Sequence, residues 1–154
     1  MKNILITILF ITIFTNCSTN NAFSHFTLDS DQAKSEDTLQ SSKIVSESKK
    51  NEGIISVIYL NNVFPKTYNT KEYFYIHYYL KESSNTIDFF LNNKSAQESK
   101  ELESKNRFSD LTSFKGAWQK YLLVTFEKQE KDVLVFKAKT SDATSREIIF
   151  RKEN

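Results

Sequence analysis

The stretch Glu72-Tyr73-Phe74-Tyr75-Ile76-His77-Tyr78-Tyr79-Leu80 decides the fold class. It contains no Gly or Pro and is dominated by aromatic residues. Successive side chains of a strand point to opposite faces. Phe74, Ile76, Tyr78 and Leu80 therefore share one face, and Tyr73, Tyr75, His77 and Tyr79 share the other. The first face is wholly apolar. The second is a row of tyrosines interrupted by a histidine.

Working outward, residues 54–60 are apolar and β-branched, bounded by Gly53 and by Asn61-Asn62, which places the start of the domain at Gly53. Residues 86–91 are expected to return from 72–80 as a hairpin across Ser83-Ser84-Asn85, with Ile87, Phe89 and Leu91 on one face. Three more strands are expected at 121–127, 132–138 and 147–151, separated by polar stretches. Residues 92–107 are rich in helix formers, with Asn93 as a possible cap and Glu101–Lys105 as an i,i+4 pair. Ala96 and Leu102 offer little apolar surface, so a surface helix or loop is expected there. The whole reads as mainly β: a small antiparallel β-sandwich or partly open barrel of about six strands with one inserted surface helix or loop.

Composition narrows the chemistry. Gly53 and Gly116 are the only glycines and Pro65 the only proline. Gly-rich phosphate loops and dinucleotide fingerprints are thereby excluded, and tight turns must use Asn, Asp, Ser or Lys. The formal net charge is +2, which argues against nucleic acid as a partner. The front of the chain is mildly acidic and the back mildly basic.

The N-terminus carries the localisation signal. Lys2 precedes the uncharged apolar run 4–14, too short to span a bilayer, and small or polar residues follow it. The chain's one cysteine, Cys17, sits at the end of Phe14-Thr15-Asn16-Cys17. This motif resembles the relaxed lipobox of spirochaete-type bacterial lipoproteins, departing from the usual pattern at Phe14 and Asn16. The resemblance implies removal of a signal peptide, residues 1–16, and lipidation of Cys17 by diacylglycerol and an acyl chain. It places the chain in the bacterial cell envelope, with an outer-membrane, surface-exposed location expected. Residues 17–52 then read as the lipidated N-terminus and a disordered tether, rich in Ser, Thr, Asn and charged residues. A short helix near residues 31–40 is the alternative within that tether. Residues 53–154 form the β-rich globular domain.

Few residues suggest catalysis or metal binding. His25 falls in the tether, so His77 is the one histidine in the domain. A single positioned histidine and a lipidated cysteine make neither a zinc site nor a metal or cofactor requirement. No Gly-flanked nucleophile turn accompanies His77. Glu72 and Asp88 are the nearest carboxylate pair by chain order, the one residual route to a hydrolase. Gly116-Ala117-Trp118 matches the G-x-W of lipocalins, but too few residues follow to complete such a barrel, and Trp118 reads as a core or rim aromatic.

The row Tyr73, Tyr75, His77 and Tyr79 is the candidate partner-contact surface, because tyrosine combines a large apolar body with a polar tip. The same row could instead be a second buried face, or be covered by residues 92–107. The functional expectation is a non-enzymatic, membrane-anchored lipoprotein displaying a β-rich binding domain to a host or envelope protein. The alternative is a periplasm-facing envelope lipoprotein that holds lipid or supports envelope assembly.

Overall fold

A computed structural model of the chain describes residues 30–82, 86–113, 116 and 118–153. The signal segment and Cys17 lie outside the described residues. The chain is mainly β. Helix α1 (Ser30–Thr38) leads into β1 (Gln40–Ser46) and β2 (Asn51–Tyr59), followed by the short helix α2 (Leu60–Val63) and β3 (Glu72–Leu80). Then come β4 (Asp88–Leu91), β5 (Lys94–Ser95), β6 (Glu98–Leu102), a 3-10 turn at Ser109–Leu111, β7 (Lys120–Phe126), β8 (Val133–Lys139), β9 (Ala143–Ser145) and β10 (Ile148–Arg151).

These strands form one curled antiparallel sheet, a partly open barrel, in the order β5-β4-β8-β9-β1-β2-β3-β7-β6, with β10 also paired to β8. The outermost strands of that order, β5 and β6, are successive pieces of one segment. Ala96 N–H donates to the Phe89 carbonyl (3.0 Å), and Gln97 N–H donates to the Thr125 carbonyl (2.9 Å). The segment thus passes its pairing from β4 to β7 and stitches the two margins of the curl together.

The inner face is filled by alternate residues of every long strand: Ile55, Val57 and Tyr59 of β2, Phe74, Ile76, Tyr78 and Leu80 of β3, and Leu122, Val124 and Phe126 of β7. Phe74 is the hub. Its ring lies 5.0 Å from Tyr59, 5.3 Å from Phe136, 5.5 Å from Phe150 and 5.6 Å from Phe126, centroid to centroid. These separations suit offset and edge-to-face aromatic contacts.

Several expectations are corrected. Residues 30–52 are not tether: α1, β1 and the start of β2 belong to the fold. Helix α1 has no apolar stripe. It is held by Ser35, whose hydroxyl donates to the Leu111 carbonyl of the 3-10 turn. In β1, Ile44 is fully buried in the inner core, and the Ser41 and Ser56 hydroxyls hydrogen-bond across to β2 at 2.8 Å. Polar sequence alone could not reveal this docking, because the partners, the Leu111 carbonyl for Ser35 and the Ser56 hydroxyl for Ser41, lie elsewhere in the chain.

Residues 92–107 hold no helix; β5 and β6 occupy much of them. Asn93 is not a cap. Asn92 and Asn93 have φ of 49° and 67° and form the two-residue turn between β4 and β5. Asparagine tolerates this left-handed region better than other non-glycine residues, so it does here what glycine usually does. Nor do β3 and β4 form a hairpin: β3 pairs with β2 and β7, while β4 pairs with β8 and β5.

Gly53 is not a domain boundary but an interior residue of β2, paired to Ile44 on one side and Leu80 on the other. A Cβ there would lie 2.4 Å from the Tyr79 carbonyl oxygen and 2.8 Å from Leu80 Cδ2. Glycine is needed for close backbone approach, not for an unusual φ. Gly53→Ala is expected to destabilise the domain by about 1–3 kcal/mol in urea unfolding. An unchanged midpoint would contradict the tight approach.

Candidate functional site

The outer face of β2, β3 and β7 is built by register. Ile58 stands opposite Tyr75, Ser56 opposite His77 and Ile54 opposite Tyr79. On the other side Tyr121 faces His77, and Leu123 faces Tyr75. This face is covered along half its length. Ile58, Leu60, Val63, Tyr68, Tyr75, Phe108, Leu111 and Tyr121 form a second core outside the curl. It is roofed by α2 and the 3-10 turn, with α1 packed against both. Arg107 adds its guanidinium over the Phe108 ring at 4.7 Å.

The tyrosine row is therefore divided. Tyr75 is fully buried and His77 is 2% exposed, so neither is available to a partner. Tyr73 is half-buried beneath the Tyr68 ring, 4.9 Å away. Tyr79 alone is open, at 43%. Phe108 and Leu111 share this second core with Tyr75, and from the 92–107 segment, the alternative cover, Leu102 packs against the cluster and Asn106 reaches the Tyr75 hydroxyl. Burial raises the pKa of the Tyr75 hydroxyl, which the Asn106 amide approaches at 3.4 Å.

Where the roof stops, a groove of 540 Å³ opens, lined by Ile54, Tyr79, Gly116, Trp118 and Gln119. Trp118 is 83% exposed and Ile54 46%. Three of the five exposed large apolar residues among the described residues meet here. Cross-strand pairing brings Ile54 to Tyr79, and the approach to β7 brings Trp118 and Gln119. Trp118 takes the rim role and not the core one. Ile54 and Gln119 were not candidates in the sequence, since nothing local indicates a cross-strand neighbour. A sparsely polar groove with an exposed indole and phenol suits an apolar side chain or ring.

His77 lies on the same face, two residues from Tyr79. Its ring lies 6.3 Å from both Tyr75 and Tyr121, tilted against the first and stacked on the second. Neither ring nitrogen has a hydrogen-bond partner among the described residues. Burial lowers its pKa, and the Gln119 side chain opposes that shift without reaching hydrogen-bonding geometry. An unpaired buried polar group costs about 1–3 kcal/mol, so His77 is a strained element of the fold.

Glu72 is the opposite case. Its carboxylate is fully buried and saturated with partners. The Tyr59 hydroxyl donates to Oε2 at 2.5 Å and the Asn61 amide at 3.4 Å. The Gln129 backbone N–H donates to Oε1 at 2.8 Å, and Lys152 Nζ pairs with the same oxygen at 2.9 Å. Burial alone would raise the Glu72 pKa, but the Tyr59, Gln129 and Lys152 contacts prevail and hold it below the ordinary value. Burial and Glu72 together push the Tyr59 hydroxyl far up. Asp88, the other member of the sequence-derived carboxylate pair, is exposed on β4, which does not pair with β3. The structure does not bring the two together. Among the described residues no three His, Cys, Asp or Glu side chains converge where a metal ion could be held.

No family model, curated protein or solved structure matches this chain. Its function must therefore be argued from its own residues. Among the described residues no helix is long and apolar enough to cross a membrane.

The Glu72 network predicts a clear hierarchy. Lys152→Met strands a buried carboxylate and is expected to cost about 3–5 kcal/mol in urea unfolding at neutral pH. Adding Glu72→Met should recover most of that loss. The sign of the acid response follows from the lowered folded pKa. The network's contribution is complete above the ordinary value of 4.5 and is lost as pH falls through the folded value. Glu72→Gln should flatten this part of the stability–pH curve, and an unaltered acid limb would contradict the assignment.

Proposed function

We propose that this chain is a lipid-anchored envelope protein whose β domain is a binding module, with the Ile54–Tyr79–Trp118 groove as its contact surface. The observation that carries the reading is this groove: aromatic and aliphatic residues left uncovered on a face whose other half is roofed by the chain itself. Exposed Trp and Tyr in one concave patch have the composition of interface hot spots. The expected partner is a protein of the host or of the envelope, and the second contact is the membrane itself, through lipid on Cys17. The location proposed is the outer membrane, facing outward.

The anchor reading gains a dimension from the fold. Because α1 already belongs to the domain, residues 18–29 are the whole link between Cys17 and the described structure. Twelve residues reach at most about 40 Å. The domain would be held close to the lipid surface instead of carried on a long stalk. The lipid-holding alternative calls for an apolar interior cavity, whereas the curl is filled by the rings around Phe74.

Clickable palmitate should label the wild type, and Cys17→Ala should abolish the label. Equal labelling of both would overturn the anchor. Protease added to unbroken cells should digest the domain if it faces outward, and full protection would place it inside. Tyr79→Ser and Trp118→Ala are expected to change unfolding free energy by no more than about 0.5 kcal/mol, as exposed residues do. Tyr75→Ser should cost several times more, because its ring is part of the second core. Similar losses at all three positions would show that the groove is packing and not surface.

A further inference from the structure

The groove and the strained histidine are neighbours, and their juxtaposition has a consequence. His77 and Tyr79 occupy the same face of β3, and Gln119 both lines the groove and acts on His77. The groups around the imidazole are Ser56 from β2, Tyr75 from β3, Tyr121 from β7 and Gln119 from the groove wall. The titratable neighbours are the two tyrosines, Tyr75 and Tyr121. Lys105 and Asp110 line a separate groove with Tyr121, and among the described residues no charged side chain acts on the ring. A neutral imidazole can stay in such a place as an imperfect apolar filler. An imidazolium there would have no counter-charge among the described residues, and the group that favours it is the Gln119 side chain in the groove wall, so protonation draws the ring toward the groove and water. Gln119, which acts on the ring, is also a wall of the groove.

We infer that His77 is an acid-sensitive latch beneath the aromatic groove: on taking up a proton its ring leaves the Tyr75–Tyr121 stack past Gln119, and the groove loses its wall. The groove is then formed at neutral pH and dismantled in mildly acidic surroundings. The direction follows from linkage. The exposed ring binds its proton more tightly than the buried one, so the closed form is fully favoured above the ordinary histidine value of 6.5. Each pH unit below it shifts the closed-to-open ratio about ten-fold toward open, until the buried ring itself titrates. This window lies above that of Glu72, so the two groups act separately. The inference rests on the groove being the contact surface for its biological use alone, since the opening itself needs no partner.

The chain holds one tryptophan, Trp118, in the groove rim, and two histidines, His25 and His77. Trp118 emission of the full chain in mild detergent, followed from pH 7.5 to 5, is therefore a direct readout. The expected result is a reversible one-proton transition with its midpoint below 6.5, unchanged in His25→Ala and absent in His77→Phe and His77→Gln. Two histidine replacements of different polarity guard against one that folds poorly. A flat wild-type curve, or the same transition surviving in a folded His77 variant, would overturn the latch. Either outcome leaves the binding reading standing, which fails instead if Trp118→Ala and Tyr79→Ser lose fold stability as Tyr75→Ser does.

Discussion

The buried Glu72 carboxylate is the constraint around which this domain is organised. One acidic side chain at the start of β3 gathers Tyr59 from the end of β2, Asn61 from α2, the Gln129 backbone from the β7–β8 connection and Lys152 from beyond β10. Lys152 also donates to the Gln129 carbonyl, closing the ring of contacts. A buried ion pair is weak evidence for stability in itself, but every partner here is obligatory once the charge is inside. It therefore ties elements far apart in sequence at one end of the curl. The aromatic cluster around Phe74 lies beside it on the inner face, so polar and apolar cores share the strands β2 and β3.

A second property follows from β3 being apolar on both faces. The inner face is sealed by the curl. The outer face needs separate cover, and the chain supplies it with segments of low hydrophobicity: α1, α2 and the loop through Phe108 and Leu111. That cover is incomplete. It protects Tyr75 and His77 and stops before Tyr79 and Ile54. The uncovered remainder, together with Trp118, is the groove on which the functional reading depends.

What the sequence made legible was set by periodicity. The alternation in 72–80 assigned β3 and the sides of its residues, and both hold in the structure. The scarcity of glycine indicated turns made with Asn, Asp, Ser or Lys, and of these Asn92, Asn93 and Lys49 are the non-glycine residues with positive φ among those described. Strands without a periodic apolar signal escaped: β1 has two adjacent apolar residues in seven, and β6 has one in five. Their positions come from pairing with β2 and β7, a tertiary effect that overrides weak local preference. The hairpin expected from 72–80 to 86–91 failed for a related reason, since adjacency in sequence did not decide pairing in the sheet. The candidate row was correctly placed on one face, yet its division into buried and open halves depends on a roof whose own residues carry almost no pattern. The Glu72 network was equally hidden, because it is assembled from four widely spaced segments.

The β domain carries one open aromatic surface beside a buried, unpartnered histidine, and the envelope anchor that would hold it near the lipid is the proposed setting for that surface. The central claim is the partition of the outer face of β3. Hydroxyl-radical footprinting of the folded chain, read residue by residue by mass spectrometry, tests that partition most directly. Trp118 and Tyr79 are expected to be modified rapidly, with Tyr75 and His77 protected until the domain unfolds. Comparable modification of Tyr75 and Tyr79 would contradict it.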